Sequence, residues 1–181
     1  MKKWLNLFLL LGVLLAALPG AAFAQGAGVQ VERVEFPVQL SDNQTYTIVG
    51  YLYTRQGNPS ETDQCGKRSR TVQVLLAGAT YNHEYWDAPT INGVDYSYAR
   101  NMAARCYSVL ALDRLGTGES SRPSGDFINL AVEGDSIAQI LTSLRTNNNP
   151  TERRFKRIVL VGHSFGSLLA VYTLGEYGNV A

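Results

Sequence analysis

The chain has 181 residues, 45% of them hydrophobic and 17% charged. That composition suits one folded domain with a short appendage and excludes a disordered or fibrous chain. Formal charge is +1, and removing Lys2 and Lys3 from the 16 Lys and Arg leaves 14 against 15 Asp and Glu, so there is no basic footprint for a nucleic-acid partner. Two histidines and two cysteines do not supply a structural zinc site at its usual spacings.

Residues 1–24 read as a secretory signal peptide. Lys2 and Lys3 give a positive start, Leu7 to Leu18 is an apolar run, and Pro19-Gly20 breaks it. Ala22-Phe23-Ala24 then supplies a small-x-small cleavage pattern before Gln25. A run of this length rises only about 18 Å as a helix, short of the roughly 30 Å hydrocarbon core of a bilayer. Cleavage after Ala24 is expected to leave no stable membrane anchor and to place the protein in the periplasm or the medium. In such an oxidising compartment Cys65 and Cys106 are candidates for a disulfide; the alternative is two small buried apolar side chains.

Beyond a Gly/Ala-rich junction, Val31 to Phe36 and Thr45 to Tyr53 have the composition of strands, with a turn at Ser41-Asp42-Asn43, so a hairpin is expected. Arg55 to Ser69 is polar and reads as a loop. Val72 to Ala77 is a strand, Tyr96 to Arg105 suits a helix, and Tyr107 to Leu112 is a second buried strand. Ile137, Ile140, Leu141 and Leu144 fall on one helical face, and Asn147 to Pro150 ends that helix. Arg157 to Val161 reads as a third buried strand, and Phe165 to Tyr177 as a helix closed by Gly178. Alternating strands and helices, with strands apolar on both faces, predict an α/β domain over residues 25–181: a mostly parallel sheet with helices on both faces.

Gly162-His163-Ser164-Phe165-Gly166 lies between the last strand and the last helix. That is the setting of a nucleophile elbow, a sharp strand-to-helix turn that exposes a serine hydroxyl above the sheet. Glycines are needed at Gly162 and Gly166 because the turn brings backbones together. Phe165 N–H stands at the helix N-terminus, where it favours developing negative charge.

From this motif and the order of elements, the chain resembles the α/β-hydrolase family over nearly everything after the leader. The resemblance implies Ser164 as nucleophile. Leu75-Leu-Ala-Gly-Ala-Thr-Tyr81 is similar to the family's loop after the third strand, with Ala77 where His is common. It implies the backbone N–H of Ala79 as the partner of Phe165 in an oxyanion hole, with Thr80 as the fallback donor. Asp113-Arg-Leu-Gly-Thr-Gly-Glu-Ser120 is similar to the stretch after the fourth strand, where Asp113 is expected to brace loops. A dinucleotide site at Gly116-x-Gly118 is disfavoured because Ser121 replaces the third glycine. Thr80, His83 and Trp86 are candidate pocket residues, as are Tyr81 and Tyr85; the alternative for His83 is a loop histidine that hydrogen-bonds locally, and for Tyr81, Tyr85 and Trp86 it is packing under the loop. The implied activity is hydrolysis of a small-molecule ester or related acyl substrate through an acyl-enzyme, with no metal or organic cofactor.

Such a serine needs a general base and an orienting acid. Neither a His nor an Asp follows Ser164, and Glu176 is the one acid, inside a helix where a triad acid does not belong. His163 is expected to point away from Ser164. The chain therefore reads as the N-terminal part of a longer enzyme, inactive alone. The alternative is a non-catalytic exported α/β module that binds a small apolar ligand or a partner protein.

Overall fold

Alternation of apolar and polar side chains builds the first two strands. In the computed structural model, which describes residues 28–57 and 65–178, β1 (Val29–Gln39) buries Val34, Phe36 and Val38 and exposes the residues between them. A tight turn follows, in which Asn43 N–H donates to Leu40 O (2.9 Å) and Asp42 Oδ1 accepts from Gln44 N–H (3.0 Å). β2 (Thr45–Arg55) then runs back antiparallel to β1 along its whole length. The expected hairpin is present, longer by a few residues than the apolar runs alone indicate. The leader lies outside the described residues, as does the middle of the polar loop expected over 55–69; its end forms a 3-10 helix, Gly66–Arg70.

β3 (Thr71–Leu76) and β4 (Ser108–Leu112) are buried at every position. Both are central strands covered on both faces, and a fully buried leucine such as Leu75 or Leu110 stabilises the fold by about 1.5–3 kcal/mol. The sheet order is β1-β2-β4-β3-β5, with β5 covering Arg157–Gly162. β4, β3 and β5 are mutually parallel where they pair, whereas β2 meets β4 antiparallel. The sheet is thus mixed, with a parallel core. β5 departs from the buried strand expected of its sequence: Arg157 and Val159 are exposed on one face, while Ile158 and Leu160 on the other pack into the core beside α2 and α3.

Helices cover both faces. α1 (Tyr98–Ala104) sets Ala99 and Ala103 against Leu75, Val109 and Ala111 on one face. It starts two residues later than expected because Ser97 caps it, accepting from Arg100 N–H (3.0 Å), while Asp87 accepts from the Ser97 hydroxyl (2.5 Å). On the other face, α2 (Leu130–Leu144) buries Ile137, Ile140, Leu141 and Leu144, the stripe its spacing predicts, beside α3 (Phe165–Tyr177). Asn129 caps α2 by accepting from Ala131 and Val132 N–H. Among the described residues no helix is long and apolar enough to cross a membrane.

Cys65 and Cys106 form a disulfide with Cα atoms 5.4 Å apart, tying the entrance to β3 to the turn between α1 and β4 across 41 residues. In the chain-entropy account, closing that loop stabilises the fold by about 4 kcal/mol. Replacing both cysteines by serine is expected to lower the unfolding free energy by up to that amount. Urea midpoints with and without reductant measure it: reductant should shift the wild type and leave the double variant unmoved.

Candidate active site

The chain leaves β5 at Gly162 and enters α3 at Phe165, so two residues make the whole reversal. Ser164 accommodates it with φ 52° and ψ −120°, a left-handed backbone that a residue with a Cβ adopts only when its surroundings force it. The surroundings do so. His163 N–H donates to Leu76 O (3.0 Å), Gly166 N–H to His163 O (2.9 Å) and Ser167 N–H to Ser164 O (2.9 Å). A Cβ on Gly166 would enter the Leu76 carbonyl oxygen, and one on Gly162 would meet the Gly166 carbonyl at 2.5 Å. The two glycines answer to close backbone contact, and the Ser164 side chain is exposed at the edge of the sheet.

β3 and β5 are neighbours, with Leu76 opposite Gly162. The segments that follow them therefore emerge about 4.8 Å apart at the same edge. After β3, Gly78 is buried, with its α-carbon close to His163 and Tyr81, whereas Ala79 and Thr80 are exposed. Among the described residues no backbone carbonyl accepts from the N–H of Ala79 or of Phe165. Two free amides on adjacent loops beside an exposed serine form an arrangement of the kind that can stabilise an oxyanion.

Beside these loops, Asp113 is fully buried and accepts from His83 N–H (2.8 Å), Glu119 N–H (2.9 Å) and the His83 ring at Nδ1 (2.8 Å). Burial pushes its carboxyl pKa up, but the hydrogen bonds from His83 and Glu119 outweigh this and hold it below the usual carboxylate range. An ionised carboxylate can only accept, so Nδ1 of His83 carries the proton. A Cβ on Gly118 would strike the Asp113 carboxylate, and Gly118 (φ 46°) and Gly116 (φ 75°) both have left-handed backbones. This glycine loop wraps a carboxylate, with the Glu119 amide already engaged.

The His83 ring stacks on Tyr51, centroids 3.6 Å apart, and the Tyr51 hydroxyl donates to Glu119 (2.7 Å). Tyr51 lies on β2, three strand spacings or about 14 Å from β5, so the stacking holds His83 away from Ser164. The His163 ring stacks on Tyr85 at 4.4 Å, and its Nδ1 is buried without a hydrogen-bond partner among the described residues. Trp86 is buried with Tyr53, Leu75 and Ala99 on the α1 face. Thr80 lines a polar cleft of about 500 Å³ with Ala79, Tyr81, Asn82, Gly116–Gly118 and Arg122. His83 and Trp86 are not among its lining residues; ring stacking and the core claim them.

The model of the alpha/beta hydrolase family matches residues 73–181. The chain belongs to the alpha/beta hydrolase family. No curated protein matches its sequence. Among solved structures it is similar in fold to the alpha/beta hydrolase GrgF from Penicillium sp. sh18, with 17% identity, a TM-score of 0.53, and coverage of 81% of this chain and 42% of that one. It is likewise similar to the rice cell wall degrading esterase LipA from Xanthomonas oryzae, with 20% identity, a TM-score of 0.53, and coverage of 82% and 38%. The chain thus spans about two fifths of the length of these structures.

Within this alpha/beta hydrolase, sequence reasoning misses one buried pair. Arg114, next to Asp113, is 3% exposed and Glu133, in the first turn of α2, is 4% exposed. Arg114 Nη1 donates to both carboxylate oxygens of Glu133 (2.9 and 2.8 Å), and Nη2 to the carbonyls of Gly78 (2.7 Å) and Ala79 (3.0 Å). The one signal available is an Asp-Arg pair, Asp113-Arg114, directly after a buried strand.

The Asp113 bonds give a pH signature. A carboxyl whose pKa is depressed by folding contributes stability above its unfolded value, near 3.9, and loses it as pH falls through the folded value. Asp113→Asn is therefore expected to be less stable than the wild type at neutral pH, with the gap narrowing below about pH 4. Denaturation midpoints over a pH series measure this; a gap that stays constant down to pH 2 would remove Asp113 from the acid response.

Proposed function

We propose that the protein is an exported serine hydrolase that cleaves carboxylic esters of small molecules. The observation that carries this reading is Ser164, exposed at a left-handed elbow between two sterically required glycines, beside the free amides of Ala79 and Phe165. The fold likeness to the esterase LipA supports ester over other acyl chemistry. The disulfide accords with a leader over residues 1–24 that directs export.

In the proposed reaction, Ser164 Oγ attacks the ester carbonyl carbon while its proton passes to a general base. The tetrahedral oxyanion accepts hydrogen bonds from Ala79 and Phe165 N–H, each donor worth about 3 kcal/mol of transition-state stabilisation. The C–O bond to the leaving alcohol then breaks, the alcohol departs with the transferred proton, and water hydrolyses the acyl-enzyme by the reverse sequence. His83 is engaged with Asp113 over β2, and the His163 ring is stacked on Tyr85. The proposed reaction therefore draws its general base and acid from outside the described residues.

Full-length wild type is expected to react with a fluorophosphonate and to hydrolyse short-chain p-nitrophenyl esters. Ser164→Ala should abolish labelling and lower kcat by at least a factor of about 10³. Labelling that persists in Ser164→Ala would dismiss the assigned nucleophile. A folded wild type that neither labels nor turns over would favour a non-catalytic binding module. The mature protein should begin at Gln25, which intact mass and N-terminal sequencing check; a first residue of Met1 would contradict cleavage.

A further inference from the structure

We propose that Arg114, anchored by Glu133, is the positioning residue for the oxyanion donors, aiming the amides of the loop after β3 and fixing them relative to Phe165. The inference rests on the serine hydrolase reading and adds a residue that the fold likeness does not assign.

Peptide geometry carries the argument. A trans peptide is planar, and its C=O and N–H point in opposite directions. Gly78 O and Ala79 N–H belong to one such unit, and Ala79 O and Thr80 N–H to the next. Arg114 Nη2 draws both carbonyls, at 2.7 and 3.0 Å, to one buried nitrogen. Both amides must then face away from the protein interior, whichever of Ala79 and Thr80 donates. Ala79 and Thr80 are exposed there, while Gly78 is buried behind them. The same guanidinium lies over the Phe165 ring, its carbon 5.0 Å from the centroid, and Phe165 supplies the second donor. A single cation thus touches both halves of the oxyanion hole from behind.

Glu133 keeps that cation in place. Both of its carboxylate oxygens accept from Nη1, which leaves Nη2 aimed at the loop. Its position in the first turn of α2 favours a negative charge. A buried ion pair is a poor device for stability alone, since an apolar pair of similar volume does as well or better. Its planar fork, however, sets direction, which a lysine ammonium cannot do. Hydrogen bonding at the carbonyl oxygens also polarises the amides and strengthens their N–H groups as donors. The arginine therefore acts on the transition state, where the oxyanion exists, and little on substrate binding.

The test uses the full-length enzyme with three variants. Arg114→Lys keeps the charge without the fork, and Glu133→Gln loosens the anchor at constant shape. Arg114→Met/Glu133→Met replaces the pair by apolar residues and avoids leaving one buried charge alone. Urea midpoints, kcat, KM and the fluorophosphonate labelling rate are read for each, with Ser164→Ala as the control for the nucleophile. The double variant is expected to hold its midpoint near that of the wild type. Its kcat should fall by about ten- to a hundredfold, with KM within about threefold and labelling slowed in parallel. Arg114→Lys should lose kcat without losing stability, and Glu133→Gln should lose less. If Ser164→Ala still labels, Ser164 is not the nucleophile and the reading on which this role rests fails. If Ser164 is the nucleophile and a folded double variant keeps wild-type kcat, or loses activity through KM alone, the positioning role is overturned. Should the double variant not fold, Arg114→Lys decides: unchanged kcat overturns the role, and a lowered kcat at an unchanged midpoint supports it.

Discussion

The carbonyl oxygen of Leu76 accepts the amide of His163 and, in the same space, leaves no room for a side chain on Gly166. This contact joins the end of β3 to the elbow that follows β5. The left-handed backbone of Ser164 follows from it, because the chain must reverse within two residues to bring α3 back over the sheet. So does the adjacency of the loop after β3, whose amides face the same edge as the serine. A longer turn would relieve the strain at Ser164 and move the first turn of α3, with the Phe165 amide, away from Ala79.

Around that edge the buried charges lie outside the strands, in the loop after β4 and in the first turn of α2. Asp113, Arg114 and Glu133 are each 4% exposed or less, a burial that is tolerable only when every charge has a partner. Asp113 accepts from the amides on either side of it and from a ring held by Tyr51; Arg114 and Glu133 neutralise each other. The two networks start from consecutive residues at the end of β4 and diverge. One braces the glycine loop against β2, and the other reaches across to the loop after β3. The loops at this edge are thereby fixed by direction-specific bonds, whereas the core below them rests on area burial, which has no direction.

What a local pattern specifies could be read without the structure. The alternation of β1, the largely apolar β3 and β4, the Ile137–Leu144 stripe and the glycine spacing around Ser164 all report their own surroundings. Failures arise where the decisive partner is distant in the chain. Ile158 to Val161 has the same composition whether one or both sides of β5 are paired, so its one-sided pairing among the described residues has no local sign. The start of α1 depends on Asp87, ten residues before Ser97. His83 reads either as a mouth residue or as a loop histidine bonded locally, and the structure gives the second, with Asp113 and Tyr51 as partners. Arg114 and Glu133 meet across 19 residues, and neither carries a periodicity that announces the other.

The disposition of these groups separates two parts of the chemistry. In the proposed reaction, orientation of Ser164 and of the amide dipoles comes from two adjacent strands and the loops after them, held by backbone contacts and one buried guanidinium. Such preorganised dipoles are commonly the largest single contribution to rate, because they need no rearrangement as charge develops. Proton transfer is a separate requirement, and the two histidines present are committed to stacking and to Asp113. Rigid backbone geometry suits the first task, since a misplacement of about 1 Å at the reacting atoms can cost a hundredfold. The second needs a titratable ring free to exchange a proton, and neither the Tyr51 stack nor the Tyr85 stack leaves a histidine so placed beside Ser164.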